Sequence, residues 1–483
     1  MQEIYRDIVT GGKHVHFIGI GGVSMSSLAL ISKKAGAVVT GSDSSCGDTV
    51  EMLRREGITV FNGQKEGQTD GADAVVYTAA VHPGNPEYDG AVKSGVPLFT
   101  RAEYLGSMMK AYRDRIGVAG THGKTTTTSM LSLIALHSGL DPTVVSGAPD
   151  RRLGGAYRLG GTGTFIFEAC EYTDSFLSFF PTTALILNVE REHVDYFKSD
   201  EQLIRSFGKY ASIADKAIVN AACEMAVRAV KDAGHKNIVW FLPAGQKPCW
   251  GRKPCPGQKV SGKLYHAEAV VFDGRYASFE LWLNENKLTG VRLSVPGMHN
   301  VSDAVAAAAA ALENGASIEG VKAGLEEFIG AERRFEPKGK TASGAEVYDD
   351  YGHHPTEIAA TLDAASRCGK NVWCVFQPHT YTRTVGLFDD FKKVFSDFCA
   401  AGGHVIFADI YSAGRESNTT GISSADLAAA VPGAEYIPSD PSGKGHFEPI
   451  AEKLNALCGE DDMILTLGAG SITHLASLLV GGE

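Results

Sequence analysis

Short apolar runs alternate with amphipathic stretches over the first hundred residues. Residues 14–20 predict a strand, Gly21 and Gly22 a turn, and the residues through Lys34 a helix. Residues 37–40 and 74–77 predict further strands. Strand–helix–strand alternation implies a parallel, right-handed, doubly wound sheet, here ending near Gly106. A second unit opens with a predicted strand at 115–119, a loop over 120–124 and a helix to about Ser138. Strands follow at 164–167 and 184–187. Residues 244–263, rich in Gly, Pro and Lys, predict an exposed excursion. Residues 272–295 alternate as antiparallel strands do, and Asn300 is placed as the cap of a helix running to about Glu313, stopped by Gly315. A third unit begins near Ala331, with predicted strands at 346–348, 372–376, 404–407 and 463–467. The fold class is α/β, and a chain of 483 residues has room for about three domains.

Composition narrows the function. The 45 basic and 56 acidic residues leave a formal charge of −11, which argues against broad binding to nucleic acid or an anionic membrane. The N-terminus lacks the apolar region of a signal peptide, and the longest apolar run, 304–312, is too short to span a bilayer. Nine cysteines without framework spacing fit a reducing, cytoplasmic compartment. Cys249 and Cys255 flank a Pro/Gly/Lys-rich stretch, which reads as a plain loop before it reads as a metal or disulfide pair.

The chemistry concentrates at strand ends. Gly120-Thr121-His122-Gly123-Lys124-Thr125-Thr126 sits between a predicted strand and a predicted helix. Glycines let the backbone wrap a phosphate, and the helix N-terminus adds N–H groups and a favourable dipole. Lys124 can neutralise the β/γ-phosphates, and a hydroxyl of Thr125 or Thr126 can ligate Mg²⁺. The motif departs from the general P-loop in carrying Val118 where that form has glycine. Glu168, Glu171 and the stretch from Asn188 through Glu192 and His193 to Asp195 supply acids and a histidine at neighbouring strand ends, which suits metal and phosphate work. Gly19-Ile20-Gly21-Gly22-Val23-Ser24 with Asp43 resembles a dinucleotide fingerprint with Ser24 in place of its third glycine, and supports a nucleotide diphosphate in general. In the third unit, Asp349 to Pro355 and Phe376 to Arg383 offer histidines and arginine suited to a carboxylate-bearing substrate. Asp349 and Asp350 read equally as an acidic pair at a helix entry, and His353 and His354 make a poor zinc site, being adjacent and lacking an evident third ligand. Arg333 and Arg334 fall at the join of the second and third units, where an arginine reaches a phosphate or purine on closure, or simply forms a surface ion pair.

In this order the motifs resemble the Mur ligase family over nearly the whole chain. The resemblance rests on His16 to Gly22, Gly120 to Thr128, Pro296 to Asn300, Asp349 to Pro355 and Phe376 to Arg383. It implies a UDP-binding Rossmann-like domain (1–108), a central P-loop ATPase with a mixed sheet (109–330) and a C-terminal Rossmann-like amino-acid domain (331–483). It implies ATP- and Mg²⁺-dependent ligation of L-alanine to the lactyl carboxylate of UDP-N-acetylmuramate through an acyl phosphate, a step of peptidoglycan precursor synthesis. Gly19, Gly21, Gly22 and Ser24 would meet the pyrophosphate, Ser42 and Asp43 the uridine, with Thr78 in the same substrate set. Gly120 to Thr126, above all Lys124, would hold the phosphates, and Thr125, Glu168 and His193 the metal. Asn300 and Arg334 would serve ATP and Asp350 its ribose, while Tyr351, His353, His379 and Arg383 would position L-alanine. Lys124, Glu168, His193 and Arg383 are the expected catalytic residues. Two positions depart from the family pattern: Thr380, where many members carry arginine, and Glu192, where aspartate usually precedes the histidine. A sister activity would add a preformed peptide to the same sugar nucleotide. An NAD-dependent oxidoreductase built on the Gly19 turn, or a non-catalytic nucleotide-gated module, would leave the phosphate loop or the amine site idle.

Overall fold

The computed structural model describes residues 5, 7–8, 11–45, 47–78, 80–150, 152–193, 196–249, 262–274, 276–412, 416–439 and 446–481. Asp195 and Cys255, named above as candidates, lie outside them.

Three sheets organise the chain. The first has five strands in the order Thr59–Asn62, Val38–Asp43, His14–Ile18, Ala74–Tyr77, Leu98–Thr100, all parallel. The strand order reverses between His14–Ile18 and Ala74–Tyr77, and a crevice opens at such a switch point beyond the strand ends. Gly19 and Thr78 lie there, next after those two strands. Helix Val23–Lys34 starts from Gly22.

The second sheet has ten strands: Asn286–Leu293, Tyr276–Leu283, Leu264–Asp273, Ile238–Leu242, Lys216–Asn220, Thr183–Ile186, Asp114–Ala119, Thr164–Ala169, Thr143–Asp150, Gly155–Arg158. Asp114–Ala119 lies at its centre, parallel to both neighbours. Its strands carry Phe165, Phe167, Leu185 and Ile218 fully buried, as expected of a parallel sheet covered on both faces. Helix Lys124–His137 packs closely on helix Ile318–Glu327 through Gly320 and Gly324. A Cβ on Gly324 would come within 2.5 Å of the Ile134 backbone nitrogen, so only glycine allows this approach.

The third sheet runs Glu336–Lys340, Glu346–Asp350, Asp462–Leu467, Asn371–Phe376, His404–Phe407, Glu435–Tyr436. Its first pair is antiparallel and the rest are parallel. Phe376, Phe391, Phe395 and Phe407 form an aromatic core on one face.

The chain divides into two compact units. One comprises Met1–Glu268, Glu280–Val291 and Ser302–Glu327, and holds the first sheet and most of the second. The other comprises Ala269–Phe279, Arg292–Val301 and Phe328–Glu483. Among the described residues no helix is long and apolar enough to cross a membrane.

Two expectations need correction. Asn300 does not cap its helix: Met298–Leu312 begins two residues earlier, and the Asn300 amide donates to Pro296 O at 2.6 Å from inside the first turn. Asp349 and Asp350 are not at a helix entry but end the strand Glu346–Asp350, where both are buried.

Candidate active site

The loop after Asp114–Ala119 is shaped by two glycines in the left-handed region, Gly120 (φ +148°) and Gly123 (φ +79°). A Cβ on Gly123 would lie 2.7 Å from Asp303 Oδ1. The loop is fastened to the end of the neighbouring strand. His122 N donates to Asn188 Oδ1 at 2.9 Å, Asn188 Nδ2 returns a bond to His122 O at 3.1 Å, and Glu190 N donates to Thr121 Oγ1 at 3.0 Å. Helix Lys124–His137 then starts with no acidic residue in its first turn, and its leading N–H groups have no acceptor within the helix.

Lys124 folds back over this loop. Its ammonium donates to Gly120 O, to Thr121 O at 3.1 Å and to Glu171 Oε2 at 3.3 Å. Glu171 is 1% exposed. Burial pushes its carboxyl up, but Lys124 and His193 outweigh burial and hold it at about 2. Burial likewise pulls the Lys124 ammonium down, and Glu171 outweighs that, raising it. The pair is therefore fully charged at neutral pH. Glu171 Oε1 is buried without a hydrogen bond, with His193 Nε2 3.6 Å away. His193 itself has φ +52° and its ring packs tilted against Tyr172, ring centres 4.6 Å apart.

Glu168 stands beside this pair on the adjacent strand. Oε2 accepts from Thr125 Oγ1 at 3.2 Å, while Oε1 accepts from Ser146 Oγ at 3.0 Å and from Gly147 N at 2.5 Å. Thr125 and Glu168 thus present a hydroxyl and a carboxylate side by side, the hard oxygen donors that a divalent cation takes. His193 reaches the cluster through Glu171. The structure brings Gly120 to Thr126, Glu168, Glu171 and His193 together at one strand edge.

At the first sheet, Gly19 (φ +79°) passes so close to Thr78 that a Cβ would lie 2.6 Å from its methyl. Gly21 N donates to Asp43 Oδ2 at 2.8 Å and Ser45 N to Asp43 Oδ1 at 2.9 Å, so this acid fixes the turn. Ser42 is buried and its hydroxyl points inward to Glu87. Glu87 in turn sits 3.2 Å from His16 Nε2, and His16 Nδ1 is 2.8 Å from Thr40 Oγ1. Ser24 Oγ accepts from Arg101 at 3.0 Å.

In the second unit, Arg383 NH1 lies 3.2 Å from both His379 Nδ1 and His379 O. The His353 and His379 rings stand 6.1 Å apart, and Tyr351 meets His353 edge-on at 5.4 Å. Arg334 Cζ lies 5.4 Å from the Tyr351 ring centre. Asp350 accepts from Phe335 N and from Gly352 N, both at 2.8 Å, which anchors the segment after Arg334. Burial pushes the Asp350 carboxyl up to about 6, against the pull of Arg334. Arg333 does not reach outward: it pairs with the buried Asp349 at 3.0 Å and donates to Gly468 O at 2.6 Å. Tyr351, His353, His379, Arg383, Arg334 and Asp350 thus share the strand-end region of the third sheet.

Sequence reasoning missed Ser146 and Gly147, which orient Glu168, and Asp303, which backs Gly123. None belongs to a local motif: strand pairing brings in Ser146 and Gly147, and the helix Met298–Leu312 carries Asp303.

Comparison with known proteins decides the family. The Mur ligase family, catalytic domain, matches residues 14–113; the Mur ligase middle domain matches 118–311; the Mur ligase, glutamate ligase domain, matches 333–470. This chain belongs to the Mur ligase family. It is 42% identical over 477 residues to the UDP-N-acetylmuramate–L-alanine ligase of Acetivibrio thermocellus, covering 97% of this chain and 96% of that protein. The enzyme of the same name from Agathobacter rectalis is 41% identical, with 97% of each covered. Among solved structures, the UDP-N-acetylmuramate–alanine ligase of Thermotoga maritima superposes with a TM-score of 0.76 at 25% identity, covering 97% of this chain and 98% of that one. A murein peptide ligase from Psychrobacter arcticus shares the fold at a TM-score of 0.66 and 24% identity, with 97% and 98% covered. As a Mur ligase the chain is an ATP-dependent ligase with the three-domain α/β fold of that family.

Proposed function

We propose that this Mur ligase joins L-alanine to the lactyl carboxylate of UDP-N-acetylmuramate in the cytoplasm, with ATP and Mg²⁺, in peptidoglycan precursor synthesis. The observation that carries the reading is the Lys124–Glu171 pair beside Thr125 and Glu168, on the Gly120–Gly123 loop of a chain similar along its whole length to L-alanine ligases. The donor set suits the nucleotide and its metal. A glycine-shaped loop and a helix start receive phosphates, a charged lysine offsets their charge, and a hydroxyl with two carboxylates supplies hard oxygens.

The lactyl carboxylate takes the γ-phosphoryl group of ATP to become an acyl phosphate, which the amine of L-alanine attacks as phosphate leaves. Lys124 and the loop amides hold and neutralise the transferring group. Thr125, Glu168 and His193 would hold the metal, which when bound would offset charge on the phosphates, while Glu171 pairs with Lys124 and lies 3.6 Å from His193. Gly19, Gly21, Gly22 and Ser24 receive the diphosphate, and Asp43 and Thr78 form the wall toward the uridine, which Ser42, buried against Glu87, backs from behind in place of the direct contact expected of it. Arg383 with His379, His353 and Tyr351 positions L-alanine, and Arg334, Asp350 and Asn300 serve ATP. The domain boundaries that follow are 1–108, 109–330 and 331–483.

Purified protein given UDP-N-acetylmuramate, ATP and Mg²⁺ should release phosphate only when an amine acceptor is added. L-alanine should be the acceptor, and the L-alanyl-D-glutamyl-diaminopimelate tripeptide should be inert. Turnover with the tripeptide in place of L-alanine would transfer the protein to the peptide-adding class. Amine-independent hydrolysis would make it a nucleotide-gated module.

A further inference from the structure

Arg101 opens helix Arg101–Met109, directly after the strand Leu98–Thr100 at the edge of the first sheet. Its guanidinium reaches across to Ser24 Oγ at 3.0 Å, at the start of helix Val23–Lys34 and beside the Gly19 turn. It is only partly exposed, and the loss of solvent lowers its pKa. The nearest acid in sequence, Glu103, is already engaged: its carboxylate accepts from Thr100 N at 2.8 Å and Thr100 Oγ1 at 2.9 Å in a capping box. Among the described residues Arg101 has no carboxylate partner. A half-buried guanidinium normally finds an anion, because it loses hydration and presents five donors in a fixed fork. Here one donor is used on a neutral hydroxyl and the others are left for an anion.

The packing of its helix says where it stands. Along the same helix, Gly106 packs against Tyr172–Ser178, the segment that follows Glu171 of the phosphate-loop cluster: a Cβ there would lie 2.1 Å from Ser178 O. The helix that Arg101 opens therefore links the glycine turn of the first sheet to the flank of the phosphate site of the second, within one compact unit. A sugar nucleotide anchored at the first and delivering its carboxylate to the second has to pass it.

We infer that Arg101 is a substrate-binding residue that clamps the diphosphate of the sugar nucleotide against the Gly19–Ser24 turn. This rests on the proposed function and adds a cation that the motif-based assignment lacks. Two anionic groups of the same substrate compete for it, the diphosphate and the lactyl carboxylate. Ser24, at the helix start, favours the diphosphate, since a guanidinium and free helix N–H groups then grip the same oxygens.

The test is calorimetric titration of wild type, Arg101→Lys and Arg101→Ala with UDP-N-acetylmuramate, with UDP and with an ATP analogue plus Mg²⁺. Arg101→Ala should weaken UDP-N-acetylmuramate and UDP by a similar factor, about tenfold or more, leaving the ATP analogue unchanged. Arg101→Lys should recover part of the loss. If the variant loses UDP-N-acetylmuramate but keeps UDP, the carboxylate is the ligand and the diphosphate assignment is overturned. If UDP-N-acetylmuramate and UDP both bind Arg101→Ala as they bind wild type, the residue has no substrate role. If Arg101→Ala loses the ATP analogue and melting temperature along with substrate while Arg101→Lys restores all three, its role is structural and the inference fails. Wild type that does not bind UDP-N-acetylmuramate would overturn the proposed function itself, a separate outcome.

Discussion

Lys124 Nζ and Glu171 Oε2 meet at 3.3 Å although 47 residues separate them, because the strands Asp114–Ala119 and Thr164–Ala169 run side by side. The contact couples the loop that receives phosphate to the acids that flank the metal site. It also fixes what each partner is worth. The pair is nearly buried, so removing one member strands the other as an uncompensated charge.

Lys124→Ala should lower phosphate release by two or more orders of magnitude, roughly the loss expected for a charge stabiliser. It should also lower the melting temperature at pH 7, because the buried Glu171 carboxylate loses the largest of the charges that stabilise it. The double variant Lys124→Ala/Glu171→Gln should regain much of the thermal stability and none of the turnover. Equal loss of both properties in the double variant would mean that the lysine serves the fold alone.

Gly123→Ala places a side chain at φ +79° and 2.7 Å from Asp303 Oδ1. A non-glycine residue in that region costs about 1–2 kcal/mol, and the loop gives way before the sheet does. The KM for ATP should rise about tenfold or more, with the KM for L-alanine unchanged. A wild-type KM for ATP would show that the loop conformation is dispensable.

Glu168→Gln keeps the shape of the side chain while removing the charge that Thr125, Ser146 and Gly147 converge on. The Mg²⁺ concentration for half-maximal activity should rise by at least about tenfold, as disturbing a metal site's supports already does. Titration with Mg²⁺ at saturating ATP reads this directly, and an unchanged midpoint would remove Glu168 from the metal site.

Asp350 gives a pH signature. Burial raises its carboxyl from 3.8 to about 6, so between those values the folded chain holds a proton that the unfolded chain has lost. Its stabilising share is fully present below pH 3.8 and disappears as pH rises through 6. His299, held down at about 4 by burial, works in the opposite sense, losing stability as pH falls below 6.5. Comparing wild type with Asp350→Asn cancels the histidine. The variant gives up one of the acceptors for Phe335 N and Gly352 N, so it should be less stable at pH 4.5. That deficit should shrink toward pH 7, by about 2 kcal/mol at about 1.4 kcal/mol per pKa unit. A deficit independent of pH would place the carboxyl in its ordinary range.

The phosphate loop was legible from sequence because its information is local: glycines, lysine and threonine lie within a few residues, between a clear strand and a clear helix. The strand Ala74–Tyr77 and the helix Val23–Lys34 were equally plain, since each is a compact apolar run with a defined start. The edge strands Thr59–Asn62 and Leu98–Thr100 were not, being short and half-exposed, with little periodicity to read. Asn300 misled because asparagine is a common cap, whereas its amide here turns back to Pro296 O within the first turn. The partners of the site were hidden for a topological reason. Ser146 reaches Glu168 across 22 residues and Arg101 reaches Ser24 across 77, and no spacing rule connects them until the sheets are built.

The central claim is that a carboxylate is activated by phosphoryl transfer before the amine attacks. It is tested most directly by supplying UDP-N-acetylmuramate with ¹⁸O in its lactyl carboxylate, together with ATP, Mg²⁺ and L-alanine, and weighing the released phosphate. The account predicts one ¹⁸O atom carried from the carboxylate into each phosphate formed. Unlabelled phosphate released alongside alanylated product would contradict it.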